Sequence, residues 1–161
     1  MVHITRVDLT QRGIVLPGQR VGMVIAQPHL YLTPNEPFTC LPDHKQQQLE
    51  AVRAALDVSL VNSHGAGKTH FTILPEYSIP GLDGVAQIEA MIADAEWPSG
   101  TIVIGGVDAL TKDQFTDLAG QPLTYIDVVD NAPARMGQNE WANCSVTWVK
   151  AADGTVGYSR S

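Results

Sequence analysis

The sequence predicts an α/β protein built on a layered sheet, and three observations carry that expectation. Short apolar runs rich in β-branched residues recur within 19–26, 70–74 and 101–104. Between them, apolar residues fall at helical spacing over 43–61 and 82–95. Two further apolar runs then flank Asp153-Gly154, the pattern of an antiparallel hairpin with a tight turn. Strand, helix, strand, helix, strand and hairpin, in that order, give the layered sheet.

Each element has its own warrant. Within 19–26, Val21, Met23, Val24 and Ile25 form an apolar run stopped by Pro28, the pattern of a strand buried on both faces, so a central strand is expected. Asp43, three residues ahead of Gln46, suits a helix N-cap with a capping-box partner. Leu49, Val52, Leu56 and Leu60 recur behind it, which predicts a helix over 43–61. The run 70–74, bounded by Pro75 and then Pro80-Gly81, reads as a second buried strand. Leu82, Val85, Ile88, Met91, Ile92 and Ala95 trace one helix face, with Asp83 placed to cap its start and Pro98-Ser99-Gly100 to end it. Residues 101–104 form a third strand, and Gly105-Gly106 lets the backbone turn or approach a neighbour closely. The polar stretch 111–121 reads as the nearest thing to a linker, inside a surface excursion over 110–141 that carries one strand at 123–129. The hairpin arms are expected at 143–151 and 155–159.

Composition narrows the function classes. At 161 residues, 44% hydrophobic and 17% charged, the chain has enough apolar side chains for a real core. Lys+Arg 10 against Asp+Glu 17 gives a formal net charge of -7 with no basic run, so a phosphate backbone is repelled and nucleic acid is not expected as a direct partner. Two cysteines, Cys40 and Cys144, suit a reducing compartment, and a cytoplasmic protein is expected. The start of the chain lacks the basic-then-apolar pattern of a secretory signal, and no apolar run approaches bilayer-spanning length, so no membrane role is implied.

Chemistry in an open α/β sheet collects at the carboxyl ends of the strands, and Glu76 stands just past such an end, after Pro75. A carboxylate there suits a general base, partial burial raising its pKa toward working pH. A Pro-Glu pair standing alone is more often a solvated turn, so the surrounding pieces decide. Taken in order, those pieces resemble the amino-terminal half of the nitrilase superfamily of carbon-nitrogen hydrolases. Residues 21–28 resemble that family's first core strand with its Gln-Pro ending, and 43–61 its first long helix. Ile73-Leu74-Pro75-Glu76 is similar to the strand that delivers the catalytic glutamate, and Ile102-Val103-Ile104-Gly105-Gly106 to the next strand with its double glycine. Asn143-Cys144-Ser145-Val146 and Asp153-Gly154-Thr155-Val156-Gly157 resemble the asparagine-led strand and hairpin that precede the catalytic lysine.

The resemblance implies the front part of an αββα sandwich, a mixed sheet with helices packed on one face. It also implies a Glu-Lys-Cys triad in which the glutamate takes the thiol proton, the lysine stabilises the oxyanion, and the cysteine forms a thioester that water cleaves. Only Glu76 maps onto that triad. The lysine is expected just beyond Ser161 and the cysteine further on, so the chain is expected to be a fragment and inactive alone. Cys144 falls where a small residue is usual and is expected to be a packed core thiol. Such chemistry needs no cofactor. Its substrate is a small amide, nitrile or carbamoyl compound, and the uncovered sheet face implies a homo-oligomer or packing against a missing second half.

Other signals point elsewhere and are weaker. Gly67-Lys68-Thr69 has the ending of a phosphate-binding loop, but Asn62 replaces its leading glycine and a strand is expected behind it. Cys40 and His44 are separated by Pro42, and His3, His29, His64 and His70 are scattered without zinc-like spacing, so no metal is expected. Asp113, Asp117, Asp127 and Asp130 read as solvated charge. A non-catalytic α/β binding module on the same scaffold is the alternative to the enzyme, and a nucleotide-binding domain using the Gly65 to Thr69 turn is a third reading.

Overall fold

The β-branched runs pair into one mixed sheet. A computed structural model describes residues 10, 13–16, 20–63, 68–120, 124–126 and 136–160. Its strands are β1 (Gly22–Ile25), β2 (Thr69–Ile79), β3 (Ile102–Thr111), β4 (Thr124–Ile126), β5 (Trp141–Lys150) and β6 (Val156–Arg160). The helices are α1 (Lys45–Ser63), α2 (Gly81–Ala93) and α3 (Lys112–Gly120). The strands lie in the order β1-β2-β3-β5-β6-β4. β1, β2 and β3 run parallel, β5 turns antiparallel to β3 and to β6, and β4 runs parallel to β6. Right-handed crossovers through helices are the usual way to join parallel neighbours, and α1 and α2 occupy those connections here. The expected α/β class is therefore found.

Strand register sorts the side chains onto two faces. Val24, Thr72 and Val103 are register partners on the face that α1 and α2 cover. There, Val52 and Leu56 from α1, Val85, Ile88 and Ile92 from α2, and Phe115 and Leu118 from α3 join Leu74, Val103, Val146 and Trp148 in a single buried cluster. Full burial of one such aliphatic side chain stabilises by about 1.5–3 kcal/mol, so this cluster holds the helices to the sheet. Cys144 belongs to the same cluster, as the expected core thiol. A buried hydrogen bond from Thr72 Oγ1 to Ser59 Oγ, 2.8 Å, ties α1 to β2.

The opposite face carries Met23, Phe71 and Ile102 in one register row and Ile25, Ile73 and Ile104 in the next. Ile14 covers Ile102 and Val149 there. Met23 and Ile25 stay 50% and 72% exposed. The central buried strand expected at 19–26 is thus an edge strand: it pairs only with β2, and only alternate residues are covered. The continuous apolar run suggested two buried faces because composition does not register that one face is open; Gln19 lies outside the described residues.

Helix boundaries moved for local reasons. Pro42 starts a 3-10 turn at Pro42–His44 and α1 begins only at Lys45, with no side-chain cap on that turn. The Asp43–Gln46 capping box does not form, and Gln46 Nε2 donates to Glu50 instead, 3.0 Å. Asp83 does not cap α2 either; it pairs with Lys45. Of the 111–121 stretch expected as a linker, Lys112–Gly120 is helix α3, Thr111 ends β3 and Gln121 lies outside the described residues. Thr111 and Gln114 form a reciprocal capping box, Gln114 Oε1 accepting from Thr111 N at 2.9 Å and Thr111 Oγ1 from Gln114 N at 3.3 Å, and Phe115 and Leu118 anchor the turn behind it. Of the strand expected at 123–129, Thr124–Ile126 is found as β4, and the rest lies outside the described residues. The hairpin of β5 and β6 forms as expected, with Gly154 at φ +85 in its turn, a conformation glycine adopts without a Cβ clash.

Candidate active site

Glu76 sits within β2, inside a wide bulge, and not past the strand end. Leu74 pairs with Gly105 and Ile79 with Val107, so Pro75, Glu76, Tyr77 and Ser78 all lie opposite Gly106. The sequence cause is the double glycine. A Cβ on Gly106 would stand 2.5 Å from Glu76 Cα, and one on Gly105 would stand 2.4 Å from Ile79 Cδ1. The first close approach, to backbone, is closed to a larger residue; the second would require the Ile79 side chain to move. The backbone of Tyr77 takes φ 60, a left-handed value that a bulky side chain adopts at a cost of roughly 1–3 kcal/mol, and such strain collects at functional sites. From the core side, Gln48 Nε2 on α1 donates to Ser78 O at 2.9 Å, and Ser78 Oγ donates to Pro75 O, fixing the bulge.

Across β3, Asn143 near the start of β5 donates from Nδ2 to Glu76 Oε1 at 2.9 Å. Both residues line a cavity of about 360 Å³ with Leu74, Gly106, Cys144 and Ser145. Glu76 is exposed, so the partial burial expected of it is not found among the described residues. Its Oε2 has no protein partner among them and remains available to take a proton. Among the described residues no lysine lines this cavity, and Cys144 is buried in the core at 6% relative exposure.

A second, larger cavity of about 500 Å³ adjoins the first through Asn143, with Glu36, Phe38, Tyr77, Glu140 and Trp141 in its walls. Phe38 and Tyr77 meet edge to face, ring centroids 5.9 Å apart. The wall bearing Glu36 and Phe38 is a short excursion closed on itself: Thr33 N donates to Thr39 O at 2.9 Å, Leu41 N to Tyr31 O at 2.8 Å, and Thr33 Oγ1 to Pro37 O at 2.8 Å.

Asp108 pins that excursion to the sheet. The residue is 4% exposed, Oδ2 accepting from Cys40 N at 2.7 Å and Oδ1 from Gly81 N at 2.6 Å. Burial pushes its pKa up, while the two backbone donors and nearby Lys45 pull it down less strongly. Gly81, at φ +55, begins α2, so Asp108 also supplies the cap that no residue of the helix provides. Sequence reasoning missed Asp108, although an aspartate inside the apolar run Val107-Asp108-Ala109-Leu110 signals a buried group with designated partners. It also missed Tyr77, Trp141, Glu36 and Phe38.

The weaker candidates are not assembled among the described residues, outside which His3 and His64 lie. Cys40 donates to Leu41 O at 3.6 Å, and its thiol is pushed up by burial first and by the charge of Asp108 second, the reverse of an activated nucleophile. His44 stacks on Tyr31, centroids 4.1 Å apart, with Nδ1 2.9 Å from Gln47 Oε1, and does not meet the thiol. Lys68 reaches Ser99 O at 3.5 Å and Thr69 opens a strand, so Lys68-Thr69 does not lead into a helix; Gly67 lies outside the described residues. Among the described residues no group of three or more His, Cys, Asp or Glu is placed to hold a metal ion, and no helix is long and apolar enough to cross a membrane. Compared with known proteins, the chain matches no family model, no curated protein and no solved structure.

Proposed function

We propose that this chain is the glutamate-bearing part of a nitrilase-like carbon-nitrogen hydrolase that acts on a small amide, nitrile or carbamoyl compound. The observation that carries the reading is the placement of Glu76. A strained bulge lifts it over Gly106, Asn143 holds one carboxylate oxygen, and the other is left to accept a proton at a cavity. In this reading Glu76 takes the proton of a cysteine thiol. With an amide or carbamoyl compound the thiolate attacks the substrate carbon, a lysine ammonium stabilises the oxyanion, and the leaving nitrogen departs with a proton returned by Glu76. A nitrile first gives a thioimidate, which takes up one further water before its nitrogen leaves as ammonia. Glu76 then activates the water that cleaves the thioester. The reaction consumes only substrate and water.

The reading assigns the lysine and the cysteine to polypeptide beyond this sequence, and has a second α/β half covering the open sheet face. Met23 and Ile25, exposed beside Phe71, Ile73 and Ile104, support that cover, because a row of apolar side chains is stabilised by removal from water. A cytoplasmic setting, where thiols stay reduced, suits a cysteine nucleophile.

A non-catalytic binding module on the same scaffold is the second reading, favoured by the absence of any lysine among the described residues lining the Glu76 cavity. The gene product that contains this sequence distinguishes the two. Release of ammonia or amine from a panel of amides, nitriles and carbamoyl compounds is the expected result; binding of such compounds with no release across the panel supports the module.

A further inference from the structure

The larger cavity differs from the Glu76 cavity in chemistry. Among the described residues its walls carry two carboxylates, Glu36 and Glu140, three aromatic side chains, Phe38, Tyr77 and Trp141, and no lysine, arginine or histidine. Glu36 has no protein partner among the described residues. Glu140 uses Oε2 to accept from Gly137 N at 2.7 Å, which fixes the side chain and leaves Oε1. Trp141 is 46% exposed at the first position of β5, a costly placement for a large ring unless something lies against it. Aromatic faces attract cations through the ring quadrupole, and carboxylates attract them directly. An anion is repelled by the same walls, and a formal net charge of -7 adds to both effects.

The walls are also held in place before any ligand arrives. Asp108 anchors the Glu36–Phe38 side through Cys40 N, and Ala109 N donates to Phe38 O at 3.3 Å. Tyr77 is fixed by the same bulge that presents Glu76, and Asn143 faces both cavities. A ligand with one end at Glu76 therefore has its other end among these aromatic and acidic groups.

We propose that the larger cavity binds a positively charged tail, an ammonium or guanidinium group, on the compound whose carbon-nitrogen bond lies at Glu76. The identity of the reacting bond rests on the hydrolase reading above; the sign of the tail charge rests on the cavity walls alone. Three N-acetyl probes of matched length separate these: N-acetyl-1,4-diaminobutane with an ammonium tail, N-butylacetamide with a neutral one, and N-acetyl-4-aminobutyrate with a carboxylate.

Binding to the full chain is followed by Trp fluorescence and calorimetry, and needs no turnover. The ammonium probe is expected to bind about tenfold or more tightly than the neutral one, and the carboxylate probe more weakly than either. Glu36→Gln with Glu140→Gln, both exposed positions whose folding is checked by circular dichroism, should reduce the ammonium preference to within about twofold. Trp141→Ala should weaken the ammonium probe more than the neutral one. Equal affinities, preference for the neutral or carboxylate probe, or no saturable binding of the ammonium probe overturns the proposal. Turnover by the gene product with a preference for neutral amides would retain the hydrolase reading and remove this one. Ammonium-selective binding without turnover would do the reverse.

Discussion

Asn143 Nδ2 donates to Glu76 Oε1 at 2.9 Å across a sequence separation of 67 residues, with β3 lying between the two strands that carry them. The amide fixes one carboxylate oxygen and so sets where the other points. Removing it in Asn143→Leu should leave thermal stability within about 0.5 kcal/mol, because both side chains are exposed. Turnover by the gene product should fall about 10- to 100-fold, the usual cost of a misdirected reacting group. Paired melting and kinetic measurements check this. A variant that keeps full turnover would remove Asn143 from the site.

Gly105 and Gly106 should respond differently to alanine. At Gly106 the new Cβ meets the Glu76 backbone, 2.5 Å to Cα, and the bulge must move. At Gly105 it meets Ile79 Cδ1 at 2.4 Å, the far end of a core side chain. Both variants should lose about 1–3 kcal/mol in denaturant titrations. Only Gly106→Ala should also abolish the Asn143–Glu76 hydrogen bond, visible as a shift of the Asn143 side-chain amide resonance.

Asp108 makes a pH prediction. Its folded pKa is raised by burial, so the folded chain binds the proton more tightly than the unfolded chain does. The stability it contributes is therefore fully present below the ordinary carboxylate pKa and declines as pH rises through the raised value. Asp108→Ala leaves Cys40 N and Gly81 N without their acceptor and should cost about 1–3 kcal/mol at neutral pH. The gap between wild type and Asp108→Ala should narrow as pH climbs across that window. Urea titrations at a series of pH values measure it; a gap that widens with pH would contradict the assignment.

The order of elements was legible because hydrophobic period survives in the sequence: the runs that became β2, β3 and β5 do form strands, though Phe71, Ile73 and Ile104 lie on the open face and are only partly buried, and the stripe Val85, Ile88 and Ile92 of α2 buries as its spacing predicts. What was not legible depends on partners distant in sequence. β1 reads as central until the sheet order makes it an edge, and α2 takes its cap from Asp108, a residue 27 positions from Gly81. Helix α3 is a different case, since the Thr111–Gln114 box and the Phe115, Leu118 spacing were in the sequence and were outweighed by polar composition. At the site, the sequence placed Glu76 just past a strand end, whereas it lies inside β2 in a bulge that the sequence does not show: the chain skips four residues against one because Gly106 admits the backbone, a steric fact with no local sequence period. The acidic and aromatic cavity walls come from three separate segments and meet only in the fold.

The central claim is that Glu76 is the proton-accepting carboxylate of a carbon-nitrogen hydrolase. Glu76→Gln keeps the size of the side chain and an oxygen for Asn143 while removing the ability to take a proton. Measured in the gene product that contains this sequence, on the best substrate of the amide, nitrile and carbamoyl panel, kcat/KM should fall by about 10²–10⁴-fold with folding unchanged. Turnover near that of the wild type would contradict the account.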